Sequence, residues 1–213
     1  MPEDSGERNP APDLLAAGAS LDDLGEAVQG CTACELYQDA TQAVFGEGQR
    51  KAKIMILGEQ PGDEEDKAGE PFVGPAGRVL DAALEAAGID RDEVYITNVV
   101  KHFRWKPGAK KRLHQTPTRR HVAACRPWLE AELALVEPVV IVTLGASASQ
   151  AILGGDIRVT EDHGEVFEWE GILTIPTIHP SAALRAPDAG DRQRLRQMLI
   201  KDLGIARRLA EGG

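Results

Sequence analysis

The sequence predicts an α/β protein: a three-layer α/β/α sandwich around a central, mainly parallel four-stranded sheet. Three observations lead there. Four apolar runs rich in β-branched residues lie at 53–58, 94–100, 139–145 and 172–181. Stretches with helical spacing separate them, which is the alternation that builds parallel sheets. A chain of 213 residues with 42% apolar content can close one core and is short for two.

Taken in order, residues 1–12 carry Pro, Gly and acids and are expected to be a flexible segment, with a single domain over 13–213. Residues 13–29 read as one short helix. KIMILGEQPG (53–62) starts as a buried strand and breaks at Gly58. AGRVLDAALEAAG (76–88) has helical spacing and a glycine stop. VYITNVV (94–100) is the second strand. A helix is expected to open near Thr116, with Pro117 at its first position and a kink or new start at Pro127. VVIVTLG (139–145) is the third strand and ASASQAILG a short helix. ILTIPTIHPS (172–181) is the fourth strand, and a long helix from Asp191 ends the chain.

Ligands of such sheets bind outside the carboxyl ends of the strands. The residues found there are Gly58, Glu59 and Gln60 after the first strand, and Asn98, Lys101 and His102 after the second. Gly145 follows the third, and His179, Pro180 and Ser181 follow the fourth. Charge is unevenly placed as well. The formal net charge is −10, yet no acid occurs between Glu93 and Glu130, a window with nine of the 24 cations. Such a patch on an acidic body is the footprint of a polyanion partner, or a solvated cationic face. GAKKRLHQTP (108–117) lies within it, its cations running up to His114.

No apolar run is long enough to cross a bilayer, and the N-terminus lacks the basic start and apolar core of a secretory signal. A cytoplasmic, monomeric protein without membrane contact is expected. Three cysteines make no closed disulfide set. Cys31-x-x-Cys34 has metal-ligand spacing, and Cys125 supplies a third thiol. His102 is the best fourth ligand, and His121, one helical turn before Cys125, competes. Composition does not separate zinc from an iron–sulfur cluster.

Four segments in order carry a wider resemblance: VFGEGQRKAKIMILGEQPGDEEDKAGEPFVGPAGRVLD (44–81), VYITNVVKHF (94–103), CRPWLEAEL (125–133) and TIHPS (177–181). They resemble the uracil-DNA glycosylase superfamily in its iron–sulfur branch, from about Cys31 to the last helix. Two departures from the ordinary branch, His102 where a cysteine is usual and the inserted basic loop with His114, together with GEQPG, resemble the X-type uracil-DNA glycosylases. That likeness implies a [4Fe–4S] cluster held by Cys31, Cys34, Cys125 and His102. It implies excision of uracil from DNA, then a lasting covalent bond between the loop histidine and the abasic site.

On that resemblance Gly58, Gln60, Phe72, Asn98 and His179 bind the base. Phe72 stacks on uracil, Asn98 reads its polar edge, and His179 donates toward O2 as charge gathers there. His114 is the nucleophile and Glu59 its orienting partner. Lys110, Lys111, Arg112 and Ser181 contact DNA. The expected partner is uracil-containing DNA, single-stranded in preference, with free uracil as product. The rival readings are a multiple-turnover glycosylase and a metal-stabilised DNA-binding module without chemistry.

Overall fold

The structure, a computed structural model, describes residues 9–109 and 111–212. Residues 1–8, most of the expected flexible segment, and Lys110 lie outside the described residues. The elements in chain order are α1 (Ala11–Ala16), α2 (Leu21–Ala27), β1 (Glu47–Gly48), β2 (Ile54–Gly58), α3 (Asp63–Ala68), α4 (Pro75–Ala87), β3 (Tyr95–Asn98), β4 (Trp105–Pro107) and β5 (Arg112–His114). They continue with α5 (Arg119–Val136), β6 (Val140–Leu144), α6 (Ala146–Leu153), α7 (Val159–Asp162), β7 (Phe167–Trp169), β8 (Ile172–Thr177), α8 (Pro180–Arg185) and α9 (Ala189–Ala210).

The main sheet has the order β1-β3-β2-β6-β8-β7. Its four inner strands, β3, β2, β6 and β8, run parallel and are the four that the sequence predicts. Two short antiparallel edges, β1 and β7, extend the sheet to six. Strands of two and three residues are too short to leave an alternating pattern, so the sequence does not announce them. Alternation in the inner strands sorts the core into two layers. Ile54 and Ile56 of β2, with Val140 and Val142 of β6, pack under Leu80 and Leu84 of α4 and Leu199 and Leu203 of α9. Met55, Leu57 and Ile141 face the other way, against Leu24, Val28, Trp128, Leu129 and Ile152 from α2, α5, α6 and the turn after α2. Strands buried on both faces read as continuous apolar runs, which is why these four were legible.

Several boundaries differ from expectation. Where one helix over 13–29 is predicted, there are two, α1 and α2. Gly18 (φ +83°) turns the chain between them, and Ser20 and Asp23 form a capping box for the second. The expected flexible segment ends early. Asn9 donates to the Ala124 carbonyl (3.0 Å) and accepts from Ala11 N (3.0 Å), and Ala11 is buried. Helix α5 begins at Arg119, not near Thr116. Thr118 is its cap, its hydroxyl accepting from His121 N and its own N–H donating to His121 Nδ1 (3.1 Å). Pro117 therefore precedes the cap, and Pro127 lies inside a helix that continues through it. The fourth strand stops at Thr177, and His179 caps a further helix, α8. The inserted basic loop with His114 belongs to a β4–β5 hairpin that pairs 105–107 with 112–114.

The chain runs from β2 sideways to β3, then back past β2 to β6. The carboxyl ends of β2 and β6 thus lead in opposite directions, the switch point at which sheets of this kind form their ligand crevice. A buried polar network braces its base. The Lys101 ammonium donates to Glu132, to Thr97 Oγ1 (2.7 Å) and to the Asn98 carbonyl (2.8 Å). Glu132 also accepts from Tyr95 Oη (3.0 Å), Thr97 Oγ1 (2.9 Å) and Gly46 N (3.0 Å). Both charged side chains are fully buried, a state that needs such pairing.

Candidate active site

The floor of the crevice is built by Gly58 and Asn98, register partners at the ends of β2 and β3. Asn98 is buried and its Oδ1 has no hydrogen-bond partner. A buried acceptor left unmatched costs free energy, so an orphan at a strand end points to a ligand that supplies the missing donor. Phe72 closes over the same spot from a left-handed backbone (φ +56°). A Cβ at Gly58 would collide with Asn98 Oδ1 and stand 2.7 Å from Phe72 Cζ, so only glycine leaves both in place. The His179 ring lies 5.9 Å from the Phe72 ring. Its Nδ1 accepts from Ser181 N (3.1 Å) and faces Ser181 Oγ at 2.8 Å. In the neutral ring the proton is then on Nε2. Burial, aided by the charges of Arg185 and His114, lowers the pKa of His179 to about 4, so the neutral form prevails.

The β4–β5 hairpin forms one wall. Directly opposed residues share a face, so Trp105, Pro107, Arg112 and His114 lie together on one side of it. The Arg112 guanidinium bonds Asp63 and Asp66 of α3, reaching Asp66 Oδ2 at 2.7 Å and Thr41 Oγ1 at 3.3 Å. It also stands over the Phe103 and Trp105 rings, 5.3 Å from each centroid. At the hairpin base, Gln60 accepts from Arg104 N (2.9 Å) and donates to the carbonyls of Arg104 (3.2 Å) and Gln115 (3.1 Å). So held, His114 Nε2 comes 3.3 Å from Glu59 Oε1. This is an ion-pair distance without hydrogen-bond alignment, and Glu59 Oε1 has no hydrogen-bond partner. Burial lowers the pKa of His114, Glu59 opposes that shift, and Arg185 adds to it.

Cys31 and Cys125 lie in the core layer on the α5 side of the sheet, and Phe72 in the other layer. Cys31 and Cys125 are buried and Cys34 is partly so. Trp128 Nε1 donates to Cys31 Sγ and Lys101 N to Cys125 Sγ, each at 3.2 Å. Burial pushes the Cys125 thiol up to about 12 and raises Cys34 as well. His102 is buried and, among the described residues, its ring makes no hydrogen bond; desolvation lowers its pKa. His121 is occupied elsewhere, by the Thr118 cap and by Glu35 (2.9 Å). Among the described residues no three Cys, His, Asp or Glu side chains are placed to hold a single metal ion as they stand.

Residues 45–204 match the family described as the uracil DNA glycosylase superfamily. The chain belongs to that superfamily. It is 39% identical over 186 residues to a type-4 uracil-DNA glycosylase of Thermotoga maritima, covering 86% of this chain and 91% of that protein. It is 38% identical over 200 residues to a type-4 uracil-DNA glycosylase of Sulfurisphaera tokodaii, covering 90% and 85%. It is 37% identical over 194 residues to one of Pyrobaculum aerophilum, covering 87% and 92%.

Of the residues expected in this superfamily member's site, Gly58, Glu59, Phe72, Asn98, His114 and His179 converge on the crevice. Three others stand differently. Arg112 faces inward onto two carboxylates. The Ser181 hydroxyl faces His179 Nδ1 at 2.8 Å. The Gln60 amide is taken up by hairpin backbone. Lys110 lies outside the described residues. The nine-cation window is also less basic than it looks, because Lys101 pairs with Glu132 and Arg126 with Glu130 and Glu170. Asp63, Asp66, Phe103 and Trp105, the partners of Arg112, carried one sequence signal: two carboxylates three residues apart after the first strand.

Proposed function

We propose that this superfamily member excises uracil from DNA and then keeps the abasic site through a bond from His114 to C1′. The observation that carries the reading is the His114–Glu59 pair, 3.3 Å apart, on the wall of a crevice whose floor offers an orphan acceptor at Asn98. The base leaves the stack to be cut. Phe72 provides a face for it. Asn98 Oδ1 accepts from uracil N3–H and its amide nitrogen donates to O4. Cytosine carries a lone pair and an amino group at those positions and mispairs with both. The neutral His179 donates through Nε2–H toward O2, which gains charge as the C1′–N1 bond breaks and uracil leaves with the electron pair.

The resulting sugar cation meets an imidazole held beside it. The lone pair on the ring nitrogen not facing Glu59 forms the N–C1′ bond, and the proton on the other nitrogen passes to Glu59. The lowered pKa of His114 keeps that lone pair available. Once neutral, the alkylated ring could leave only as an anion, so the adduct persists. The chain acts as a monomer, and single-stranded DNA is the preferred substrate.

The thiol region suits an iron–sulfur cluster by its donor chemistry. Three sulfurs and one buried imidazole are present, and N–H groups are already aimed at two of the sulfurs, as thiolate ligands use. Cys31, Cys34, Cys125 and His102 would hold a [4Fe–4S] cluster, which would tie the 31–34 segment to α5 and supply no step of the cleavage. Visible absorbance that survives replacement of His121 and is lost with His102 is the expected result.

One assay tests the catalytic reading. The protein is incubated with a uracil-containing single-stranded oligonucleotide, boiled in detergent and run on a denaturing gel. A surviving protein–DNA band that His114→Ser abolishes is expected. Abasic product without the band indicates ordinary turnover, and neither outcome indicates a binding module.

A further inference from the structure

The two faces of the β4–β5 hairpin differ in a way the cleavage reading does not use. Its inner face is neutralised: Arg112 lies on Asp63 and Asp66, and His114 faces Glu59. The outer face carries Lys106 and Leu113, which are direct register partners, and Lys111, two residues before Leu113. Lys106 and Lys111 are exposed, and neither forms an ion pair among the described residues. Leu113 is 36% exposed, one of few large apolar side chains so open to solvent.

This pattern is unusual for an acidic chain. α3, directly behind the hairpin, has Asp63, Glu64, Glu65 and Asp66 in its first turn and would repel a polyanion. Arg112 neutralises part of that charge from within, and the exposed lysines then present uncompensated positive charge. An apolar residue set between two cations matches a strand of alternating phosphate and hydrophobic sugar or base edge.

We propose that the outer face of the hairpin, formed by Lys106, Leu113 and Lys111, binds the single DNA strand next to the flipped nucleotide. The two lysines contact phosphates and Leu113 packs on the intervening nucleoside. This rests on the reading of the chain as a uracil-DNA glycosylase and names where its DNA lies. It also explains the hairpin's construction: one face positions His114, and the other brings the strand to it.

The test is binding of a fluorescein-labelled, uracil-free single-stranded oligonucleotide by anisotropy across a salt series. Each phosphate contact contributes about 0.7 to the slope of log K against log salt on a single strand. Lys106→Ala/Lys111→Ala should lower the slope by about 1.4. Leu113→Ala should weaken binding about fivefold at an unchanged slope. Lys201→Ala, an exposed cation on α9, should retain the wild-type slope. An unchanged slope in the double variant, or an equal fall in Lys201→Ala, overturns the proposal. So does a fall seen only with duplex DNA. Because the probe lacks uracil, a wild-type protein that binds as expected but cuts no uracil sinks the enzymatic reading and leaves this surface standing.

Discussion

Arg112→Ala separates uracil excision from capture of the abasic site. The side chain makes charged hydrogen bonds to Asp63 and Asp66 and covers two aromatic faces. Hydrogen bonds to charged groups contribute about 1.5–3 kcal/mol each. The guanidinium is 18% exposed, so the low end applies, giving about 3 kcal/mol for the pair. Removing it leaves Asp66, which is fully buried, with Thr41 as its remaining partner. Losing that energy lowers the docking equilibrium constant about 100-fold, and the rate of His114 attack falls by up to that factor. Phe72, Asn98 and His179 have no hydrogen bond to the hairpin among the described residues, so excision should change by less than about threefold. The assay is a single-turnover quench that counts abasic sites and cross-links separately. Equal loss of both, or cross-linking at the wild-type rate, refutes the claim that Arg112 acts by anchoring the wall.

Three further outcomes are expected. Lys101→Met should cost about 3–5 kcal/mol in denaturant unfolding because Glu132 is left buried and unpaired, and Lys101→Met/Glu132→Leu should recover much of it; a double variant less stable than the single contradicts the pairing. Gly58→Ala should lower excision about 100-fold by displacing Asn98 and Phe72, with melting temperature down by only a few degrees; wild-type kinetics would show that the crevice floor is not where the base sits. Folding buries His179 neutral, so the unfolded chain binds more protons between about pH 6.5 and about pH 4. Stability is therefore unaffected by this group above that window and falls as pH drops through it. His179→Asn should flatten that part of the stability–pH curve, and an unaltered curve would remove the burial argument.

What could be read from the chain follows from the range of the forces involved. The inner strands were visible because both faces are buried, so their composition alone marks them. The residues past their ends were visible because parallel topology sends all four carboxyl ends to one edge. That is how Gly58, Asn98 and His179 came together from distant positions. The carboxylate pairing of Arg112 was not legible because a cation in a basic run looks the same whether it faces solvent or a carboxylate 49 residues away. The same holds for Lys101, which lies in the basic window and is fully buried. The bonds of Gln60 left no signal because Arg104 and Gln115 meet it through backbone groups, and backbone leaves no mark in sequence.

The sequence by itself determined the layered α/β architecture, the sheet edge that carries the site, and the residue types available there, because periodicity and strand-end position are local properties. Only the tertiary structure decided which face of the hairpin looks inward and which cations are left unpaired. Those depend on long-range pairing, where one carboxylate in reach of a guanidinium reverses its role.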